Sequence, residues 1–119
     1  MKVKIENYNK GRSREEMAKK YLCEKGFVWI ESNFLCNIGE IDLIMTDNDW
    51  LVFVEVKFKS DDRFGIPEEM IGSRKISQIK KVAQIYLMTK QDISKKYLKY
   101  RIDAVCILGD KIRYYPNLC

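Results

Sequence analysis

Three residues near the middle of the chain, Asp42, Glu55 and Lys57, have the types and spacing of a site that could hold a divalent cation. They fall in two apolar stretches, 40–46 and 51–58, which we predict to be β-strands joined by a short polar turn. Because side chains alternate along a strand, the three can converge on one face of this hairpin. Two carboxylates and a lysine are costly to bury there unless they bind a cation or pair with each other.

Two close carboxylates offer the hard oxygen ligands that Mg²⁺ prefers, and a metal there would stabilise charge on a phosphoryl oxygen. A lysine two residues beyond the second carboxylate can orient water or neutralise developing charge. An Asp, a spacer and then Glu-x-Lys is the pattern of the PD-(D/E)xK nucleases, with Ile41 in place of the Pro in that name. The alternative is a strand with a solvated charged face.

Alternation also predicts how the first strand of the hairpin packs. We expect Ile41, Leu43 and Met45 to share one face of the strand, and Glu40 and Asp42 to share the other.

Length and charge limit the kind of protein. The 119 residues suit a single domain, and 46% hydrophobic with 33% charged residues are typical of a soluble globular protein. The net charge of +5 and the pI near 9.0 suit a polyanionic partner such as nucleic acid. The absence of His excludes Ser-His-Asp and Cys-His hydrolases, so chemistry here must depend on carboxylates, lysines and a hard metal.

Cysteine spacing and the lack of a long apolar run indicate the compartment. The four cysteines contain no Cys-x-x-Cys pair, which argues against a zinc cluster. No segment has the length of a membrane span or the apolar core of a signal peptide. We therefore expect a cytoplasmic protein with free thiols and no membrane partner.

The N-terminal part predicts one helix and one strand before the hairpin. Residues 1–10 are expected to form a loose arm. Ser13 to Glu16 has the pattern of a capping box, so a helix should run from Ser13 to about residue 25. Glu15 lies at the rim of its apolar stripe and could reach a site on the sheet. Its acid could instead serve only the helix dipole. A strand at 27–34 follows.

After the hairpin, 60–73 is predicted to be a polar loop that grips substrate. A helix at 73–89 places Lys75 in its apolar sector, aimed over the sheet edge or extending to solvent. Strands at 100–108 and 111–115 complete the order α-β-β-β-α-β-β. This order predicts an α/β fold, a mixed sheet flanked by helices, in a single domain covering 1–119.

The chain resembles the YraN-like uncharacterised protein family, small bacterial proteins with a restriction-endonuclease-like fold. The resemblance rests on a Gly-Glu-Ile-Asp-Leu-Ile block at 39–44 and a Phe-Val-Glu-Val-Lys block at 53–57, and extends over about 11–108. An early-helix Glu followed by Asp and Glu-x-Lys is also similar to archaeal Holliday junction resolvases. Four positions depart from the family pattern. They are Arg14, where Gly is usual, Leu35, Lys59 and Ser73.

The resemblance implies that Asp42, Glu55 and the main-chain carbonyl of Val56 hold Mg²⁺ or Mn²⁺. Glu15 and Glu40 would be outer ligands, although Arg14 leaves the placement of Glu15 open.

The remaining roles fall to basic residues. Lys57 would be catalytic together with Asp42 and Glu55, and nucleic-acid contacts would come from Lys75, Lys59 and Arg74. The resulting hypothesis is a metal-dependent nuclease that hydrolyses phosphodiester bonds, in DNA rather than RNA and in branched or processed DNA. The alternatives are a binding module that grips nucleic acid without cutting and a protein-interaction scaffold. A homodimer is left open.

Overall fold

The computed structural model describes residues 2–60, 71–97 and 99–118, and for 2–12 the backbone alone. The helices and strands, in chain order, are α1 (Lys2–Glu24), β1 (Val28–Cys36), β2 (Gly39–Asp47), β3 (Trp50–Lys59), α2 (Ser73–Thr89), α3 (Gln91–Ser94), β4 (Lys99–Leu108) and β5 (Lys111–Tyr115). The predicted order α-β-β-β-α-β-β is confirmed, with the four-residue α3 added after α2. The loop expected to grip substrate lies largely outside the described residues.

The strands form one mixed sheet in the order β1-β2-β3-β4-β5. β1, β2 and β3 are joined as antiparallel hairpins, and β4 and β5 form another. β3 and β4 are parallel, which requires a long crossover connection, and α2 lies in that connection. Asn48 in the β2–β3 turn has a φ of +53°, a conformation that Asn tolerates better than most residues.

A helix covers each face of the sheet, so successive residues of the central strands are buried on opposite sides. In β3, Val52 and Val54 pack toward α1, and Leu51 and Phe53 pack toward α2. The α1 side also includes Ala18, Leu22, Phe27, Leu43, Met45, Val105 and Ile107. The α2 side also includes Ile41, Ile44, Ile79, Val82, Ala83, Tyr86 and Ile102. Two packed cores explain why these strands are apolar at nearly every position.

The start of α1 differs from the prediction. The helix begins at Lys2 rather than Ser13, so the backbone expected to form a loose arm is helical and Ser13 is an exposed residue within the helix. The capping-box interpretation was therefore wrong. Propagating a helix costs far less than nucleating one, so a helix anchored by Ala18 and Leu22 can extend through a polar segment that has no apolar period.

Strand alternation in β2 also fails at one point. Ile41 packs on the α2 side with Ile44, whereas Leu43 and Met45 pack on the α1 side, so the expectation that Ile41 shares their face was wrong. Opposite this point in β1, Asn33 adopts a φ of +57° between the residues paired with Ile41 and Leu43. The pairing of β1 with β2 also shifts register between Trp29 and Glu31, so the sheet is irregular along this edge.

A polar network fixes β4 against β5 and the C-terminal residues. The fully buried Asp103 accepts hydrogen bonds from Arg101 Nε at 3.0 Å, from the Tyr114 hydroxyl and from the Asn117 N–H at 2.8 Å. Arg101 Nη2 also lies 3.0 Å from Asp47 Oδ2. A buried carboxylate satisfied in this way is a structural element of the fold.

Two further expectations concern the described residues. Cys23, Cys36 and Cys106 form no disulfide. None of the described helices combines the length and the apolar character needed to cross a membrane.

Candidate metal and nucleic-acid site

The site lies where the hairpin of β2 and β3 opens. Backbone pairing between the two strands extends from Asp47 and Trp50 to Leu43 and Val54. Asp42 comes next, and its Oδ2 accepts a 2.8 Å hydrogen bond from the main-chain N–H of Val56. A side chain thus takes over the acceptor role of the backbone, and the Asp42 carboxylate is held between the diverging strands.

Two more carboxylates converge on Asp42. Oxygens of Glu15, Glu40 and Asp42 all lie within 4.8 Å of one another. Glu15 is supplied by α1, and Glu40 and Asp42 by β2, so a helix and a strand build this carboxylate group together. Oxygen atoms at such spacing match the ligand type that Mg²⁺ and Mn²⁺ prefer.

Burial and the neighbouring acids together change the ionisation of Asp42. Its pKa is raised from 3.8 to about 7, first by burial and then by the charges of Glu55, Glu15 and Glu40, against the opposing effect of the Val56 hydrogen bond. The site therefore favours a proton or a cation near neutral pH. These residues fit a divalent metal, because a cation would offset both the cost of burying the Asp42 charge and its repulsion by the neighbouring acids.

Glu55 stands apart from the three-carboxylate group and is surrounded by lysines. It is 5% exposed, and its Oε1 lies 3.4 Å from Lys57 Nζ and 3.8 Å from Lys75 Nζ. Lys57 comes from β3 and Lys75 from the first turn of α2, so Glu55 faces the α2 side of the sheet. It acts on Asp42 through its charge, which is the largest electrostatic contribution to the raised Asp42 pKa.

The structure thus divides the predicted site residues into two neighbouring sets. Asp42 lies with Glu15 and Glu40, and Glu55 lies with Lys57 and Lys75. Val56 takes part through its N–H, which orients Asp42.

Arg14, the departure that left Glu15 in question, has a defined place. Its guanidinium carbon lies 3.2 Å from the centroid of the Phe58 ring, so the side chain stacks on β3. Stacking of a planar guanidinium on an aromatic face is favourable and lets a charged residue occupy the apolar sector of a helix. Glu15 follows directly and reaches the carboxylate group from the same turn.

Two of the predicted nucleic-acid contacts lie at the ends of elements. Lys59 is the half-buried last residue of β3, and its carbonyl accepts a 2.9 Å hydrogen bond from Gly109 N–H. Arg74 is exposed on the first turn of α2. Arg74 also lines an open groove of about 740 Å³. The other lining residues are Ile38, Ser73, Ser77, Gln78 and Lys81.

Sequence reasoning missed how α2 is joined to the β1–β2 turn. Gln78 Nε2 donates a 2.8 Å hydrogen bond to the carbonyl of Ile38. A Cβ on Gly39 would lie 3.0 Å from Gln78 Nε2 and 3.2 Å from Val82 Cγ2, so any other residue here would push against these two side chains. The glycine before Glu40 was the available signal, because a Gly in a strand often marks the close approach of another element.

Comparison with known proteins finds a matching protein family and similar relatives. A family model described as "Uncharacterised protein family UPF0102" matches residues 14–107. A UPF0102 protein of Vibrio campbellii is 41% identical over 109 residues, covering 90% of this chain and 88% of the relative. One of Persephonella marina is 39% identical over 108 residues, covering 91% and 90%. One of Syntrophus aciditrophicus is 42% identical over 86 residues, covering 72% and 68%. The matched region contains all the carboxylates and lysines described above.

Proposed function

This chain belongs to the uncharacterised protein family UPF0102, and we propose that it is a metal-dependent nuclease that hydrolyses phosphodiester bonds in DNA. The YraN-like family resemblance inferred from the 39–44 and 53–57 blocks is confirmed by the same matches. Neither the family description nor the names of these relatives state an activity, so the proposal depends on the site.

The observation that carries the proposal is the carboxylate group of Glu15, Glu40 and Asp42 beside the Glu55–Lys57 pair. Three acids whose oxygens lie within 4.8 Å of one another repel as anions and so favour a cation between them, and Asp42, whose pKa burial and neighbouring acids raise, gains most from one. Lys57 and Lys75, next to this group, supply the positive charge and the hydrogen-bond donors that a phosphate-bearing substrate requires.

Asp42, Glu15 and Glu40 are the residues that would hold Mg²⁺ or Mn²⁺, and Glu55 from the neighbouring set would complete the site. When bound, the metal would polarise the phosphodiester and offset charge that develops on its oxygens. The Val56 N–H keeps Asp42 oriented before any ligand arrives, so little reorganisation is needed.

Lys57 and Lys75 have different positions and therefore different proposed roles. Lys57 shares a strand with Glu55 and is only 19% exposed, which suits a donor to the attacking water or to a phosphoryl oxygen in the transition state. Lys75 is 33% exposed on α2 and lies further out, which suits a contact to a phosphate of the bound strand.

The test is direct. Purified protein is incubated with branched, single-stranded and duplex DNA, and with the same forms of RNA, in Mg²⁺, in Mn²⁺ and in EDTA. We expect metal-dependent cleavage of DNA by the parent protein and none by Glu55→Gln, which keeps the shape of the side chain but removes its charge. An exposed acid of the β4–β5 turn, changed as Asp110→Asn, is the matched control. A parent that cuts no substrate in either metal contradicts the nuclease proposal and favours a non-catalytic nucleic-acid-binding module.

A further inference from the structure

Positive charge is concentrated in one part of this chain. Residues 73–99 contain eight Lys or Arg and a single acid, Asp92, for a net charge of +7. The whole chain carries +5, so the remaining residues together carry −2. Helix α2 alone contributes four basic residues and no acid. Such segregation produces a local potential that the modest net charge of the chain hides.

Part of that charge lines the groove between α2 and the β1–β2 turn. Arg74, Ser77, Gln78 and Lys81 follow the helical spacing i, i+3, i+4 and i+7, so they form one exposed stripe along α2. The opposite wall is Ile38, held in place by the hydrogen bond from Gln78. The groove is therefore a built feature of the fold, with a basic and hydroxyl-bearing wall facing an apolar one.

One end of the groove lies next along α2 to a lysine that contacts Glu55. Arg74, at its near end, is adjacent in the chain to Lys75, whose Nζ lies 3.8 Å from Glu55 Oε1. From Arg74 to Lys81 the helix rises roughly 10 Å, at 1.5 Å per residue. That distance corresponds to about three nucleotides at 3.4 Å per nucleotide of one strand.

We propose that this groove binds the phosphodiester backbone of the nucleic-acid strand that extends from the carboxylate site. Arg74 and Lys81 contact phosphates, and Ser77 and Gln78 offer hydrogen bonds to the same backbone. The inference rests on the proposed function for the identity of the partner. It adds a specific path and contacts that position any sequence without reading bases.

The experiment compares two double variants that remove the same charge. Arg74→Ala with Lys81→Ala alters the groove, and Lys95→Ala with Lys96→Ala alters exposed lysines beyond α3, in the same basic region but outside the groove lining. Binding of a fluorescently labelled DNA oligonucleotide is measured by anisotropy in EDTA over a series of salt concentrations. The plot of log K against log salt falls with salt, and each lost phosphate contact makes it less steep by about 0.7 for a single strand or 0.9 for a duplex.

We expect the groove variant to bind more weakly, with a plot less steep by roughly 1.4 to 1.8. The Lys95 and Lys96 variant should keep an affinity and a salt dependence close to those of the parent. Equal slopes for the two variants, or no binding by the parent at low salt, overturn the groove. Cleavage with Mn²⁺ is assayed in parallel on the same proteins. A parent that cuts DNA without the groove effect contradicts this inference alone, and a parent that binds through the groove but never cuts contradicts the nuclease proposal alone.

Discussion

The main-chain N–H of Val56 donates its 2.8 Å hydrogen bond to Asp42 at the step where pairing between β2 and β3 ends. The bond lowers the pKa of Asp42, while burial and three neighbouring acids raise it to about 7. Asp42 is therefore oriented by the backbone yet poorly stabilised as an anion. An acid held in this way is preorganised to bind a cation.

We expect Asp42→Asn to stabilise the metal-free protein at high pH. The Asp42 pKa is 3.8 as a free side chain and about 7 in the folded protein, so the folded state retains a proton that the unfolded state releases. The parent should lose stability as pH rises from about 4 to about 7, by on the order of a few kcal/mol, and Asn should not. Thermal melting in EDTA at pH 4 and pH 8 measures this. Asp110→Asn is the control. Parallel dependences of melting temperature on pH for the parent and Asp42→Asn would contradict the prediction.

Affinity for Mn²⁺ should increase as pH rises through about 7, because the metal competes with the proton on Asp42. Calorimetry in buffers of different ionisation enthalpy should detect the released proton. Asp42→Ala and Glu55→Ala should each abolish binding, while Asp110→Ala should not. If both site variants bind Mn²⁺ as the parent does, the site assignment is wrong.

Replacing Lys57 separates catalysis from binding. Lys57→Met keeps the length of the side chain but removes the charge 3.4 Å from Glu55. Loss of one preorganised donor costs on the order of 10²–10³ in rate and leaves ground-state binding largely intact. Single-turnover cleavage and DNA affinity are measured for the same preparation, with Lys75→Met as the comparison expected to weaken affinity more. If Lys57→Met cuts as fast as the parent, Lys57 has no catalytic role in the parent protein.

The stacking of Arg14 on Phe58 should position Glu15. Arg14→Ala removes a contact worth roughly 0.5–2 kcal/mol, so we expect a modest fall in melting temperature together with weaker Mn²⁺ binding. Lys20→Ala, at an exposed position of the same helix, is the control and should change neither. Unchanged Mn²⁺ affinity in Arg14→Ala would show that Glu15 is placed without the stack.

The buried Asp103 should matter for stability and not for the site. Asp103→Ala leaves the Arg101 side chain, the Tyr114 hydroxyl and the Asn117 N–H without their shared acceptor. Breaking a buried charge pair in this way costs about 3–5 kcal/mol. Chemical denaturation measures the loss, and Asp103→Asn should recover part of it. Mn²⁺ affinity of the folded variant, measured at low temperature, should match the parent, and a large change there would link the network to the site.

The sequence by itself determined the strands, the order of elements and the family. Apolar runs broken by polar turns set β2 and β3, and an amphipathic period set α2 at Ser73–Thr89, because burial on a fixed face imposes a fixed spacing. The Asp, Glu-x-Lys spacing predicted Asp42, Glu55 and Lys57 as site residues, and the hairpin places them in two neighbouring sets. It could not reveal the start of α1, because polar helix extension leaves no periodic signal.

Tertiary structure decided how those residues divide. Ile41 packs on the α2 side, and Asp42, just beyond the last pair of β2 and β3, joins Glu15 and Glu40, while Glu55 meets Lys57 and Lys75. Alternation along the sequence predicts one face for Ile41, Leu43 and Met45, and only the packed structure shows where that alternation breaks. Likewise, the groove at Ile38 exists because α2 and a distant turn meet through Gln78, a contact between residues 40 positions apart.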